Sequence, residues 1–163
     1  FAGKLLAHSA MLEDKHVTWF PSYGAEIRGG TANCTVIISD EMIGSPIVSR
    51  PDALLIMNEA SMERFEPRLK PRGLLIMNTS LIKNHPKRSD IEIIGIKATD
   101  IAKELGNSQA ANMVMLGALI EKTGILSHKT IFNSLRELMP EHRKKAIPLN
   151  EKAFKKGTEE IAD

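Results

Sequence analysis

Apolar positions along the chain fall into two spacings, and the change between them marks out the elements. Leu5, Leu6, Ala10 and Leu12 lie near one another at helical spacing, with Lys4 and Glu13 elsewhere, which predicts an amphipathic helix over Phe1–Glu13. His16-Val-Thr-Trp-Phe-Pro21 is a β-branched and aromatic run stopped by its proline. Thr31-Ala-Asn-Cys-Thr-Val-Ile-Ile-Ser39 is a better strand, because Thr35, Val36 and Ile37 suit a pleated sheet. The clearest internal signal is a repeat: Leu54-Leu-Ile-Met-Asn58 recurs as Leu74-Leu-Ile-Met-Asn78. Each copy is a short continuous apolar run, as expected of a strand covered on both faces.

Residues 59–70 favour a helix that Pro67 keeps short or irregular and that Pro71-Arg-Gly73 ends. Strand, helix, turn and strand in that space form a βαβ crossover, so the two copies should pair in parallel. A third strand candidate is Ile91-Glu-Ile-Ile-Gly-Ile96. Thr99 or Asp100 is expected to cap a short helix ending at Gly106, and Asn107 or Ser108 to cap a second that reaches Lys122 before Gly124. That second helix is apolar almost all round and must be buried. Ser127–Leu138 reads as a further helix stopped by Pro140, and residues 149–163 as a polar helical tail. The expectation is one α/β domain over residues 1–163. It would be a three-layer α/β/α, Rossmann-like fold around a doubly wound, mostly parallel (mixed) sheet.

Composition narrows the chemistry. The 163 residues are 42% hydrophobic and 26% charged, ordinary for a globular chain. Cys34 is the single cysteine, which excludes a disulfide framework, a cysteine-rich zinc site and an iron–sulfur cluster held by four thiolates of this chain. With 22 basic and 20 acidic residues the net charge of +2 does not argue for nucleic acid. Met113–Ile120, an apolar run near the middle, falls well short of a membrane span, and no secretory pattern opens the sequence, so the cytoplasm is the expected compartment. His8, His16, His85, His128 and His142 show no metal-ligand spacing, and no metal site is expected. Neither a P-loop nor a complete G-x-G-x-x-G nor a G-x-S-x-G is present, and no catalytic residue is assigned.

Two places carry candidate binding groups. In parallel sheets, ligands bind at the carboxyl ends of the strands, which is where Asn58 and Asn78 fall, followed by Thr79 and Ser80. That rim suits a phosphate or diphosphate; alternatively, the asparagines are helix caps and Thr79-Ser80 only turns the chain. The other place is Tyr23-Gly24-Ala-Glu26-Ile-Arg28-Gly29-Gly30. Adjacent glycines let backbone approach a bulky anion, Arg28 can grip it bidentately, and Glu26 can orient Arg28. A hairpin turn between two strands would explain the glycines but not Tyr23, Glu26 and Arg28. Cys34, inside a strand, is expected to be a small core residue. Arg143-Lys-Lys145 and Lys155-Lys156 read as a solvated face, an acidic-partner contact or a 3′-phosphate contact.

Several stretches also follow one family's pattern: Phe20-Pro-Ser-Tyr-Gly-Ala-Glu-Ile-Arg-Gly-Gly30, Ile38-Ser-Asp40, Ile43-Gly-Ser-Pro46 and Asp52. Gly73-Leu-Leu-Ile-Met-Asn-Thr-Ser80, Ala102-Lys-Glu-Leu-Gly-Asn107, Asn112-Met-Val-Met-Leu-Gly117 and Asn150-Glu-Lys-Ala-Phe154 with Gly157 continue it. Over Phe1–Gly157 the chain resembles the γ subunit, or catalytic domain III, of 2-oxoacid:ferredoxin oxidoreductases. The resemblance implies a complex that decarboxylates a 2-oxoacid to acyl-CoA and reduces ferredoxin. The favoured oxoacid is 2-oxoglutarate, then pyruvate or a branched-chain oxoacid. It implies α and β partner subunits and, where the complex has one, δ, with thiamine diphosphate and iron–sulfur clusters held by those partners. It also implies that this domain lines the coenzyme A side, for which the candidate residues are Tyr23, Gly24, Glu26, Arg28, Gly29, Gly30, Asn58, Asn78, Thr79 and Ser80. Members of the family carry a strand and a G-x-G-G-Q-G loop ahead of the helix that opens this chain, so both are expected to precede Phe1. Two further readings stand beside it: an assembly subunit without ligand contacts, and the equivalent subunit of indolepyruvate oxidoreductase.

Overall fold

The computed structural model describes residues 1–24 and 32–162, which fall into two compact units. The first holds Phe1–Val48 and Leu126–Pro140, and the second Ser49–Ile125 with 141–162.

In the first unit, helix α1 (Ala2–Leu12) turns at Asp14, whose φ is 57°, into an antiparallel pair of strands, β1 (His16–Tyr23) and β2 (Ala32–Ser39). The register runs from His16 opposite Ser39 to Tyr23 opposite Ala32. Leu5 and Ala10 are fully buried as the helical spacing predicts, whereas Leu12 is exposed. Pro21 does not stop β1; it pairs with Cys34. A two-stranded ladder turns every other N–H of each strand outward, so a residue without an N–H is tolerated there. Cys34 is exposed rather than in the core, because its strand lies in a two-stranded ladder. A Cβ on Gly3 would come 2.2 Å from its Sγ and 3.6 Å from the Trp19 Nε1, so α1 approaches the strands through a residue without a side chain. Helix α5 (His128–Leu138) packs on α1. Its N-cap Ser127 accepts from the Thr130 N–H, and the Glu13 carboxylate accepts from the Ser127 N–H at 2.8 Å. At the other end of the contact, His8 Nδ1 is 2.5 Å from the buried Ser134 Oγ.

The second unit is built on a parallel sheet in the order β3 (Ala53–Ile56), β4 (Leu74–Asn78), β5 (Glu92–Ile96). The predicted crossover is present, with α2 (Glu59–Phe65) ending in a 3₁₀ turn at Glu66–Arg68, where Pro67 sits. Leu54 pairs with Leu75 and Ile56 with Met77, so the repeated pentapeptides are offset by one residue. The offset makes the copies present opposite side chains to a given face. One face, carrying Ile56, Leu75 and Met77, forms a core with Met62, Leu69 and Ile82. On the other, Leu74 and Ile76 are buried where α4 (Ala111–Thr123) contacts β4. The fold is therefore α/β with a parallel sheet, as expected.

Between β5 and α4 in the chain comes α3 (Ala98–Glu104), with Lys97 and not Thr99 or Asp100 at its cap position. Asn107 caps the 3₁₀ turn Ser108–Ala110 that leads into α4, and Gly124, at φ 60°, ends α4. Helix α6 (Ile147–Ala162) starts two residues earlier than its polarity suggests, because Pro148 fits the first turn, where no N–H partner is needed. A Cβ on Gly117 would meet the Phe154 carbonyl oxygen at 2.0 Å, and one on Gly157 the Val114 carbonyl oxygen at 1.8 Å. The α4 and α6 backbones therefore touch at two glycines, with Met113, Leu116 and Phe154 sealed around them. Outside the sheet, the buried Glu66 accepts from the Arg88 N–H at 2.8 Å, while the Arg88 side chain bonds the Leu69 carbonyl and Asp90. These bonds pin the loop between β4 and β5.

Two predictions follow from this packing. Gly117→Ala and Gly157→Ala each force two backbones apart and should destabilise by at least about 1–3 kcal/mol, read as a lowered Tm. Gly44→Ala, whose Cβ would meet nothing within 4 Å, should leave Tm unchanged. Burial pushes the Glu13 carboxyl up, but bonds from Ser127 and Thr130 outweigh it and hold it below the ordinary glutamate value. Its contribution is thus present above the unfolded value and lost as pH falls through the lower folded one. Glu13→Gln should flatten the acid limb of a stability–pH curve from the ordinary glutamate range downward.

Candidate functional site

The three parallel strands end together, and their polar ends make one edge. Asn58 follows β3 and caps α2: its Oδ1 accepts from the Ser61 N–H at 2.9 Å. Its backbone is extended (φ −148°, ψ 167°), as a cap residue requires. Asn78, the last residue of β4, is fully buried. Its amide donates to the Thr99 Oγ1 at 2.8 Å and the Met57 carbonyl at 3.3 Å, and its Oδ1 accepts from the Thr99 N–H at 3.3 Å. One side chain thus ties the end of β4 to the exit of β3 and the first turn of α3. An unbonded amide at that depth would cost several kcal/mol, on the order of its full desolvation, which explains why every donor is used.

Thr79 and Ser80 leave the strand at the same edge. The Thr79 N–H donates to the Ile96 carbonyl, and the Ser80 Oγ accepts from the Asp100 N–H at 3.1 Å. The Ser80 hydroxyl hydrogen remains available to donate. Gly95 on β5 makes room for Thr79, since a Cβ there would lie 2.7 Å from the Thr79 methyl. Lys83 completes the edge: its Nζ donates to the Thr79 carbonyl at 3.2 Å and its N–H to a Glu59 carboxylate oxygen at 3.1 Å. The sequence pattern marks Thr99 only as a helix-cap candidate and does not mark Lys83. The spacing from Thr79 to Lys83, one helical turn, was the available signal for the latter; for the bond of Thr99 there was none, because its partner is 21 residues away.

The edge therefore brings together Asn78, Thr79, Ser80, Thr99 and Lys83, with Asn58 turned to its own helix. Its chemistry is that of hydroxyls and one ammonium group around a spent amide, with the Glu59 carboxylate against the Lys83 N–H. Tyr23 and Gly24 belong to the first unit, where Tyr23 is 75% exposed at the end of β1. Glu26, Arg28, Gly29 and Gly30 lie outside the described residues. Among the described residues no group of three or more His, Cys, Asp or Glu side chains is placed to hold a metal ion, and no helix is long and apolar enough to cross a membrane.

Parallel strands with helices on both faces define an α/β protein. Residues 1–160 match the pyruvate ferredoxin/flavodoxin oxidoreductase family, and the chain belongs to it. It is 40% identical over 118 residues to the ketoisovalerate oxidoreductase subunit VorA of Methanothermobacter marburgensis; the match covers 72% of this chain and 24% of that protein. The chain thus spans about a quarter of the length of that relative. It is 32% identical over 161 residues to the 2-oxoglutarate synthase subunit KorC of Methanocaldococcus jannaschii, covering 97% of this chain and 84% of KorC. Among solved structures, the keto/oxoacid ferredoxin oxidoreductase γ subunit of Geobacter sulfurreducens superposes with a TM-score of 0.81 at 30% identity, covering 99% of this chain and 89% of that one.

If Asn78 is the tie between strand ends, Asn78→Ala should cost roughly 2–4 kcal/mol, three hydrogen bonds and the groups they leave unpaired. Asn58→Ala should cost only about 1 kcal/mol, the value of a helix cap. Chemical denaturation of both variants measures the difference; equal losses would show that Asn78 has no larger structural role.

Proposed function

We propose that this chain serves as the γ subunit of a 2-oxoacid:ferredoxin oxidoreductase, in a complex that oxidatively decarboxylates a 2-oxoacid, forms acyl-CoA and reduces ferredoxin. The observation that carries the reading is the near-complete overlap, in both directions, with a separate γ subunit of the same family. Its partners are then the α and β subunits and, where present, δ. With one cysteine in 163 residues, the chain does not fit a four-thiolate cluster, which supports assigning the iron–sulfur groups to those partners; thiamine diphosphate is assigned to them by the family resemblance. Thiamine diphosphate supplies carbanion chemistry and the clusters supply one-electron steps. This chain's own part is binding and positioning.

For that part, the Tyr23–Gly30 stretch and the Asn78–Ser80 edge are the surfaces offered to coenzyme A. Arg28 would be the anion contact, Gly29 and Gly30 would let backbone approach, and Glu26 would orient Arg28. Tyr23, exposed in the first unit, is available to a ligand or a neighbouring subunit. At the edge, the Ser80 hydroxyl and the Lys83 ammonium supply donors, whereas Asn78 acts by holding the strand ends in place. 2-Oxoglutarate is the preferred oxoacid, supported by the relatives named for it that align along nearly all of the chain. A branched-chain oxoacid is the second reading, favoured by the higher identity to the ketoisovalerate relative.

In the assembled complex, Arg28→Ala should raise the KM for coenzyme A by about tenfold, the worth of one charge-assisted hydrogen bond, with a smaller change in kcat. Unchanged coenzyme A kinetics in a correctly assembled complex would remove Arg28 from the site. Initial rates with 2-oxoglutarate, pyruvate and 2-oxoisovalerate rank the substrates; a kcat/KM highest for 2-oxoisovalerate would replace the first reading with the second.

A further inference from the structure

Strand β5 has one position without a side chain, Gly95, and that position is exposed. Exposure alone would accept any residue, so the reason for glycine lies across the ladder. Gly95 pairs with Met77 of β4, which places Thr79, the next residue on that face, diagonal to it. A Cβ on Gly95 would come within 2.7 Å of the Thr79 methyl, closer than side chains approach. Threonine is β-branched and stiff at χ1, so its methyl does not swing aside freely. The Thr79 N–H also donates to the Ile96 carbonyl at 2.8 Å. Backbone bond and methyl contact together seat Thr79 on β5, one residue past the end of β4.

The residue after Thr79 is placed by that seat. Ser80 is half-buried, and its Oγ accepts from the Asp100 N–H at 3.1 Å. With that bond made, the hydroxyl proton meets no acceptor among the described residues, so Ser80 is left as a donor. Charge beside it sets what it can donate to. Asp100 carries an exposed carboxylate on the very residue that bonds the Ser80 oxygen, and it forms no ion pair among the described residues, with Lys97 and Lys103 near it in sequence. The Lys83 ammonium is bonded instead to the Thr79 carbonyl, and the Glu59 carboxylate lies against the Lys83 N–H. A phosphate oxygen at the Ser80 proton would be repelled by the unpaired Asp100 carboxylate, whereas an uncharged carbonyl oxygen meets no such repulsion.

We propose that Gly95 is a positioning residue which, through Thr79, holds the Ser80 hydroxyl as a donor to an uncharged oxygen of coenzyme A: an amide carbonyl of its pantetheine arm and not a phosphate. The inference rests on the reading that this edge faces coenzyme A, and it names the part of the molecule that the edge takes.

The test uses the assembled complex. Ser80→Ala should raise the KM for coenzyme A about fivefold, the size of one neutral hydrogen bond, and Ser80→Thr, which keeps the hydroxyl, should restore most of it. Gly95→Ala should raise the same KM by a similar factor with a smaller change in kcat. Adding Thr79→Ser, which removes the methyl that the new Cβ meets, should bring the KM back; a merely structural glycine would show no such selective recovery. Pantetheine, which has the amides and the thiol but no phosphate, should compete with coenzyme A, and Ser80→Ala should raise its inhibition constant by the same factor. An unchanged KM for coenzyme A in Ser80→Ala would overturn the proposal, whether or not the Gly95 variant folds. So would a factor that is lost with pantetheine, which would put Ser80 on a phosphate, and so would pantetheine that does not compete with the wild type. A wild-type complex that oxidises its 2-oxoacid with no requirement for coenzyme A would instead sink the parent reading, and this inference with it.

Discussion

One buried amide holds the carboxyl edge of the parallel sheet together. Parallel strands deliver their chain ends to the same side, where each departing segment has backbone groups that the ladder no longer satisfies. Asn78 satisfies them from the middle strand, reaching the exit of β3 through the Met57 carbonyl and the start of α3 through Thr99. A hydrophobic residue there would leave those groups unpaired, and a charged one would be buried without a counter-ion. The placement of Thr79, Ser80 and Lys83 along the same edge follows from that tie.

Behind the edge, packing is set by contacts that leave no room for side chains. Gly117 and Gly157 bring the α4 and α6 backbones into direct contact, which lets the apolar residues of α4 be sealed from both the sheet side and the α6 side. Gly3 does the same for α1 against Cys34 and Trp19 in the first unit. Such contacts gain dispersion energy from whole backbones and tolerate no added methyl group. The residues of the sheet edge are thus carried on a scaffold with little freedom to adjust.

Much of this was readable from local patterns. The apolar pentapeptides separated by a helical stretch required a parallel crossover, Gly124 marked the end of α4, and Ser127 capped α5. Each of these depends on residues close in sequence, where backbone sterics and hydrogen-bond chemistry act directly. The errors share an opposite origin. Pro21 reads as a stop until the strand is seen to have a neighbour on one side only. Cys34 reads as core until its strand is seen to lie in a two-stranded ladder, and Thr99 reads as a cap until Asn78 is seen to claim it. The role of Asn58 as a cap was one of two alternatives left open, and its bond to Ser61 is local in the same way.

The amino-acid order by itself determined the element types, the α/β class with its parallel crossover and, through motifs such as Tyr23-Gly-Ala-Glu-Ile-Arg-Gly-Gly30, the resemblance to a family of oxidoreductase subunits. Propensity, apolar period and turn chemistry are properties of neighbouring residues, so they survive without coordinates. Only the tertiary structure decided which of two identical pentapeptides ends in a buried tie and which in a helix cap. A one-residue offset in strand pairing, and the arrival of Thr99 beside one asparagine and not the other, give the same five letters different surroundings. Burial and long-range partners set the energy of a polar side chain, and neither is a property of its neighbours in sequence.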